Sequence, residues 1–202
     1  MKKSDKNKVY EIYDKIIHWF DAHRSKDLSL EKAYLDVIQA HIPASGSVLD
    51  VGCGTGEPIA KFFIEQGYQV TGVDASKAMI ELCKQRFPQA HWLLADMRTL
   101  QLPGQFDIVL AWHSFFHLPH EDQKPTLQLL TSYVKSGGLF AFTSGTEHSE
   151  VWSDNGGYDL YHASLDPEEY IKILEEYNFK LIMHKMNDPD CGGATTWLVK
   201  KN

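Results

Sequence analysis

The stretch Ser47-Val48-Leu49-Asp50-Val51 is short and mostly apolar, and it breaks at residue 52 into Gly52-Cys53-Gly54-Thr55-Gly56. A buried strand running into three alternating glycines constrains this chain more than any other feature. Such a turn carries the backbone from a sheet into a helix that packs back on the same sheet. Pro58 follows where a first helical turn tolerates it, and Gly67 stands where a helix would be capped. The alternation then repeats. Residues 69–73 read as a second strand, and Ser76 as the N-cap of a helix reaching Arg86, stopped by Phe87-Pro88. Residues 91–95 give a third strand and 106–111 a fourth. A helix over 122–134 ends at Ser136-Gly137-Gly138, and 139–143 form a fifth strand. Strict alternation of strand and helix predicts an α/β fold with a doubly wound parallel sheet.

Both ends depart from that rhythm. Val9, Ile12, Tyr13, Ile16, Ile17 and Phe20 mark one face of a helix, and Leu30, Ala33, Tyr34, Val37 and Ile38 mark a second, closed by Pro43. Near the other end, Asp166-Pro167 opens a helix to residue 177. Strand-like runs at 180–185 and 195–200 are joined by Asp188-Pro189-Asp190-Cys191-Gly192-Gly193. That linker is too short for a crossover helix, so the last pair is expected to be antiparallel.

Charge and cysteines narrow the function classes. Lys and Arg number 20 against 27 Asp and Glu, a net charge of −7, which disfavours phosphodiester backbones and anionic membrane surfaces as partners. The basic stretch from Met1 to Lys8 is followed by no apolar leader segment, and no apolar run approaches the roughly 20 residues of a membrane helix. Cys53, Cys83 and Cys191 are odd in number and lack metal-type spacing, so reduced thiols in a cytoplasmic protein are expected, and no metal.

In open α/β sheets, ligands bind beyond the carboxyl ends of the strands, which is where the glycine turn lies. Asp74 ends the second strand 18 residues after Gly56, placed to accept both ribose hydroxyls of an adenosine. Two ligands share that arrangement. A dinucleotide site carries a third glycine where this chain has Glu57, and Asp50 flanks the turn on its other side. Two carboxylates beside a pyrophosphate repel it. S-adenosylmethionine has no phosphate and carries a sulfonium and an ammonium, so the electrostatics favour it.

These segments resemble the class I S-adenosylmethionine-dependent methyltransferases. Residues 48–56, VLDVGCGTG, are similar to the family's first motif, and Val73-Asp74-Ala75-Ser76 to its ribose-binding loop. Ala95-Asp96-Met97-Arg98 is similar to the adenine-edge segment, residues 106–112 to the fourth strand and its active-site loop, and residues 135–139 to the turn into the fifth strand. The resemblance covers about residues 45–200. It implies a Rossmann-like, seven-stranded sheet of order 3-2-1-4-5-7-6 with strand 7 antiparallel. The expected organisation is a single domain over 1–202, with an N-terminal helical cap at 1–44 and the core at 45–202. The resemblance further implies that Asp50, Gly52, Cys53, Gly54, Gly56 and Pro58 surround the methionine end of the cofactor. Asp74 would hold the ribose, Ala75, Met79, Asp96, Met97 and Arg98 would frame the adenine, and Ala111 and Trp112 would line the opposite side. Helices covering the site make Tyr13, Trp19 and Arg24 candidates for a lid.

Methyl transfer requires alignment of nucleophile and methyl carbon, exclusion of water and, for some acceptors, removal of a proton. His113 and His117 follow the fourth strand and are candidate bases; the alternative is that they only hydrogen-bond within the loop. Phe116, Trp152, Tyr161 and His162, with Tyr13 and Trp19, are candidate substrate residues, though Tyr161 and His162 equally suit a turn before the last helix. Residues 147–157, with Trp152 and two glycines, read equally as a mobile loop over the pocket or as a plain surface loop. Ala111-Trp112-His113-Ser114 lacks the Asn or Asp, Pro-Pro, aromatic pattern of enzymes acting on nucleic-acid bases. The expected acceptor is a small, partly apolar molecule. A nicotinamide-dependent oxidoreductase and a non-catalytic cofactor-binding module are the alternatives.

Overall fold

The structure is a computed structural model that describes residues 5–202; Met1 to Ser4, half of the basic stretch noted above, lie outside it. The chain order begins α1 (Tyr10–His23), α2 (Lys32–His41), β1 (Ser47–Val51), α3 (Ile59–Glu65), β2 (Gln69–Asp74), α4 (Lys77–Arg86), β3 (His91–Leu94) and β4 (Phe106–Ala111). It continues with α5 (His120–Ser132), β5 (Val134–Ser144), β6 (Ser149–Asn155), β7 (Tyr158–Ser164), α6 (Pro167–Glu176), β8 (Phe179–Asp188) and β9 (Ala194–Lys201). Seven strands form one sheet in the order β3-β2-β1-β4-β5-β9-β8. The first five are parallel, and β9 runs antiparallel to both β5 and β8. Counting only strands of this sheet, the order is the expected 3-2-1-4-5-7-6.

Alternation along each strand divides the core in two. Val48, Ile108, Leu139 and Leu198 face α2, α3 and α4 on one side of the sheet. Leu49, Val109, Phe140, Phe142 and Trp197 face α5 and α6 on the other. The inner strands β1, β4, β5 and β9 are buried on both faces, as a sheet covered by helices on both sides requires, whereas the edge strands β3 and β8 are largely exposed.

Two sequence expectations are corrected. Val134 to Gly138 belong to β5, because Phe106 on β4 already pairs with Val134 before the ladder shifts register. Residues 149–164, expected as a mobile or surface loop followed by a turn or substrate wall, form an antiparallel hairpin of β6 and β7 outside the main sheet. Its two-residue turn is Gly156-Gly157, both at positive φ (61° and 84°), and Asn155 pairs with Tyr158. A Gly-Gly pair between two strand-like runs is a direct hairpin signal.

This hairpin decides where α1 lies. Val9, Ile12 and Ile16 of α1 bury their side chains against Leu160, Tyr161 and Ala163 of β7. Polar pins fix the helix from its other side. Asp14 accepts hydrogen bonds from Ser76 Oγ (2.7 Å) and Ala78 N (3.0 Å) at the start of α4. Asp21 is held by both terminal nitrogens of Arg86 at 2.7 and 2.6 Å. Bidentate pairs of this kind fix direction as well as distance. As a result α1 roofs the carboxyl ends of β1, β2 and β4. No helix among the described residues is long and apolar enough to cross a membrane.

Candidate functional site

Under that roof lies a cavity of about 300 Å³ lined by the glycine turn, the ends of β2, β3 and β4, and residues of α1 and the hairpin. All three turn glycines have positive φ, at 75°, 55° and 77°. Their reasons differ. A Cβ on Gly52 would lie 2.2 Å from Ser114 Cβ, and one on Gly56 would lie 3.1 Å from the Phe87 ring. These two are glycine because protein crowds them. Only Gly54 has an open side, with Phe20 of α1 at 3.9 Å as its nearest neighbour.

Three carboxylates converge on the cavity. Asp50 is buried and makes no hydrogen bond with a described residue; burial, and then the nearby Asp74, push its pKa up to about 7. Asp74 accepts from Gly54 N (3.0 Å) and Ser76 N (2.8 Å), so it ties the glycine turn to the start of α4. Burial raises it to about 6 against the opposing pull of those hydrogen bonds. Asp96 is clasped by Arg98, whose Nε is 3.0 Å from both of its oxygens and which also bonds Asp122 at 3.0 Å. Burial pushes Asp96 upward, and the guanidinium outweighs it, leaving that carboxyl below its ordinary value. Arg24 at the end of α1 also lines the cavity; its guanidinium makes no hydrogen bond or ion pair with a described residue and acts electrostatically on the buried Glu31.

The histidines divide by their partners. His117 is bonded at both nitrogens: Nδ1 donates to the Tyr161 carbonyl (2.8 Å), which leaves Nε2 to accept from Tyr13 Oη (2.9 Å). Burial, with His162 adding to it, drives its pKa down to about 3. His113 has φ +52°, an uncommon conformation for a residue with a side chain, held by its N–H on Thr143 Oγ1 at 2.9 Å. Its ring touches Trp112 and Phe116 and makes no hydrogen bond to a described residue. Burial lowers it to about 4, so it is neutral at physiological pH.

The cavity brings together Tyr13, Asp50, Gly52, Cys53, Gly54, Pro58, Asp74, Ala75, Met79, Asp96, Met97, Arg98, Trp112, His113, Phe116, His117 and His162 from the sequence-based set. Five others lie elsewhere. Gly56 faces α4, and Ala111 points into the core on the α5 side of β4. Trp19 stacks on His23 and packs on Gly156, outside the cavity. Tyr161 is fully buried beneath α1, and Trp152 packs against its ring. Packing of α1 on the hairpin takes up Tyr161 and Trp152, while Trp19 stays exposed. Cys53 lines the cavity, but burial keeps its thiol protonated. Phe20, Ser114 and Asn155 line it without having been anticipated. Phe20, one turn before Arg24 on the apolar stripe of α1, could have been found from that spacing.

Glu57 changes its meaning. It is ion-paired with Lys26 (2.9 Å), Arg86 (3.0 Å) and Lys61 (3.4 Å), so it does not present a bare charge to a ligand. The electrostatic case against a pyrophosphate rests on Asp50 and Asp74.

The fold is a doubly wound α/β domain with a cavity at the carboxyl ends of its parallel strands, and comparisons show what it is similar to. Residues 48–138 match the family model described as methyltransferase domain. A methyltransferase of Bacillus subtilis strain 168 is 32% identical over 58% of this chain and 51% of its own length. The malonyl-[acyl-carrier protein] O-methyltransferase of Salmonella typhimurium is 29% identical over 71% of this chain and 56% of its own. The chain therefore spans about half the length of these relatives. Magnesium protoporphyrin IX methyltransferase from Synechocystis, crystallised with S-adenosylhomocysteine, superposes with a TM-score of 0.75 at 15% identity, covering 98% of this chain and 100% of that one. Residues 48–138 are thus similar to a methyltransferase domain, and the chain shares the fold of that solved methyltransferase.

Proposed function

We propose that the protein transfers a methyl group from S-adenosylmethionine to a small-molecule acceptor. The observation that carries this reading is the pair Asp50 and Asp74, buried together without a cationic partner in a cavity whose lining also includes Arg24. Buried charges without partners are costly. A ligand with an ammonium and a carboxylate on one amino-acid unit relieves both sides at once. In this reading Asp50 and Arg24 hold the methionine end, Asp74 the ribose, and Met79, Met97 and Asp96 the adenine.

When bound, S-adenosylmethionine supplies a methyl carbon made electrophilic by its sulfonium. The protein's part is to align the acceptor and keep water out, which α1 does by roofing the cavity. His117 is committed to Tyr13 and the Tyr161 carbonyl, and fixes α1 against the hairpin. His113 keeps a free imidazole and is the residue available to hold a proton lost by the acceptor. The three cysteines are free and buried, which supports a reducing, cytoplasmic setting. We read residues 5–44 as the cap of a single domain whose core begins at residue 45.

A thermal-shift titration tests the cofactor. S-adenosylmethionine or S-adenosylhomocysteine at about 100 times its Kd is expected to stabilise the fold by about 2.7 kcal/mol, a rise in midpoint of about 5–10 °C. An equal rise with NAD or NADP overturns the reading in favour of the oxidoreductase. Binding of the sulfur nucleosides without turnover on a broad acceptor panel would identify the non-catalytic module.

Proton linkage gives a second expected result. The ligand's ammonium beside Asp50 lowers that carboxyl's pKa in the complex below the value of about 7 it has when free. Binding then releases a proton below pH 7, so affinity rises with pH and levels off above it. Isothermal titration with S-adenosylhomocysteine should show about ten-fold tighter binding at pH 8 than at pH 6, and a flat profile for Asp50→Asn. A flat profile in the unaltered protein would remove the ammonium from Asp50.

A further inference from the structure

Behind the candidate cofactor cavity lies a second one, of about 330 Å³, between the end of β5 and the β8–β9 turn. His113 and Phe116 line both cavities and form the wall between them. The remaining side chains of the second cavity are Thr143, Ser144, Thr146, Asn187, Ala194 and Thr195, with backbone from Gly145, Gly192 and Gly193. None of its lining residues carries a formal charge, since burial keeps His113 neutral.

The hydrogen-bonding capacity of this lining is only partly used. Thr143 Oγ1 accepts from His113 N, and Thr195 Oγ1 accepts from Asn187 N at 3.3 Å, which leaves both hydroxyl protons unassigned. Ser144 Oγ donates to the Gly145 carbonyl and accepts from Trp197 Nε1. Thr146 and the Asn187 amide make no side-chain hydrogen bond with a described residue. Asn187 holds φ +48°, and the Cβ position of Gly193 opens on nothing within 4 Å. Asn187, Gly192 and Gly193 are exposed, so this side of the cavity opens to solvent and the Asn187 amide stands at its mouth. Phe116, stacked on His162 at 5.0 Å and 17°, offers a flat aromatic wall.

We propose that this cavity is the acceptor site and that it takes an uncharged ring bearing hydroxyl, amide or carbonyl groups, seated on Phe116 with one edge at His113. The inference rests on the methyltransferase reading for the word acceptor, but the selectivity of the cavity stands by itself. Hydroxyls and an amide satisfy a neutral polar ligand. They leave a carboxylate or an ammonium without a counter-charge, which makes desolvating either one costly. An aromatic wall adds stacking for a ring and nothing for an acyclic ion.

Three matched probes test it by saturation-transfer NMR on the full chain: 3,4-dihydroxybenzamide, 3,4-dihydroxybenzoate and 3,4-dihydroxybenzylamine, with and without S-adenosylhomocysteine. The benzamide is expected to bind at least ten-fold more tightly than either ion. Asn187→Asp, which keeps the left-handed backbone tolerable, should lose the benzamide and gain the benzylamine, and Thr146→Val should weaken the benzamide several-fold. Preference for either ion in the unaltered protein, no binding by any probe at millimolar concentration, or an unchanged ranking in both variants overturns the proposal. S-adenosylhomocysteine binding, read in the same samples, reports separately on the cofactor. Its loss would count against the methyltransferase reading while the ranking of the probes still judged the cavity.

Discussion

Gly52→Ala is expected to destabilise the protein by about 3–5 kcal/mol, lowering the thermal midpoint by about 10 °C. Two effects add. Residue 52 has φ +75°, and an alanine there carries a backbone cost of about 1 kcal/mol or more. The new methyl would also lie 2.2 Å from Ser114 Cβ and 2.7 Å from Ser114 Oγ. Ser114 cannot swing clear, because its Oγ donates to the Val51 carbonyl at 2.6 Å. The clash therefore moves backbone, in a turn bordered by β1 and by the loop after β4.

Two further variants separate the contributions. Gly104 has φ +80° with nothing within 4 Å of its Cβ position, so Gly104→Ala carries the backbone cost alone, about 1 kcal/mol. Ser114→Gly in the Gly52→Ala background removes the clashing Cβ but also the hydrogen bond to Val51, so it should recover only part of the loss. Chemical denaturation of the four proteins measures each term. If Gly52→Ala costs no more than Gly104→Ala, crowding by Ser114 is not what keeps residue 52 a glycine.

This result bears on what the sequence could reveal. Three glycines after a buried strand announced a tight turn, and the turn is there, on the wall of a cavity. Their identity did not reveal which of them serves the ligand and which serve packing, because Ser114 and Phe87 approach from 62 and 31 residues away in sequence. The same distinction runs through the molecule. The sheet was legible because each strand is a contiguous apolar run bounded by local turn chemistry. The ends of β2 and β3 were legible as a site because Asp74 and Asp96 sit at strand termini, where topology alone places them. The substrate side was less so. Tyr161, Trp152 and Trp19 looked like pocket residues, yet β6 and β7 pair with one another and α1 packs on them, which draws Tyr161 and Trp152 into a small core and leaves Trp19 exposed beside Gly156. Arg24 lies beyond any motif, and its place on the cavity wall follows from how α1 is pinned through Asp14 and Asp21.

Loss of Asp74 is expected to have the largest effect on cofactor binding, about 100-fold for Asp74→Ala. Its carboxylate is the only group that holds Gly54 N and Ser76 N together, at 3.0 and 2.8 Å, and it remains open to the cavity. Removing it takes away charge-assisted hydrogen bonds to the ribose and loosens the turn, about 3 kcal/mol together. Asp74→Asn keeps the shape and one acceptor oxygen, but its NH2 then faces a backbone N–H, so a loss of about ten-fold is expected. Methylthioadenosine, which has the ribose and lacks the amino-acid unit, tells this role from the others. Asp74→Ala should weaken S-adenosylhomocysteine and methylthioadenosine by the same factor. Asp50→Asn and Arg24→Ala should weaken S-adenosylhomocysteine and leave methylthioadenosine unchanged, because their partners are the ammonium and the carboxylate. If Asp74→Ala instead spares methylthioadenosine, the carboxylate at the end of β2 serves the amino-acid end, and the cofactor lies in the cavity in the opposite direction.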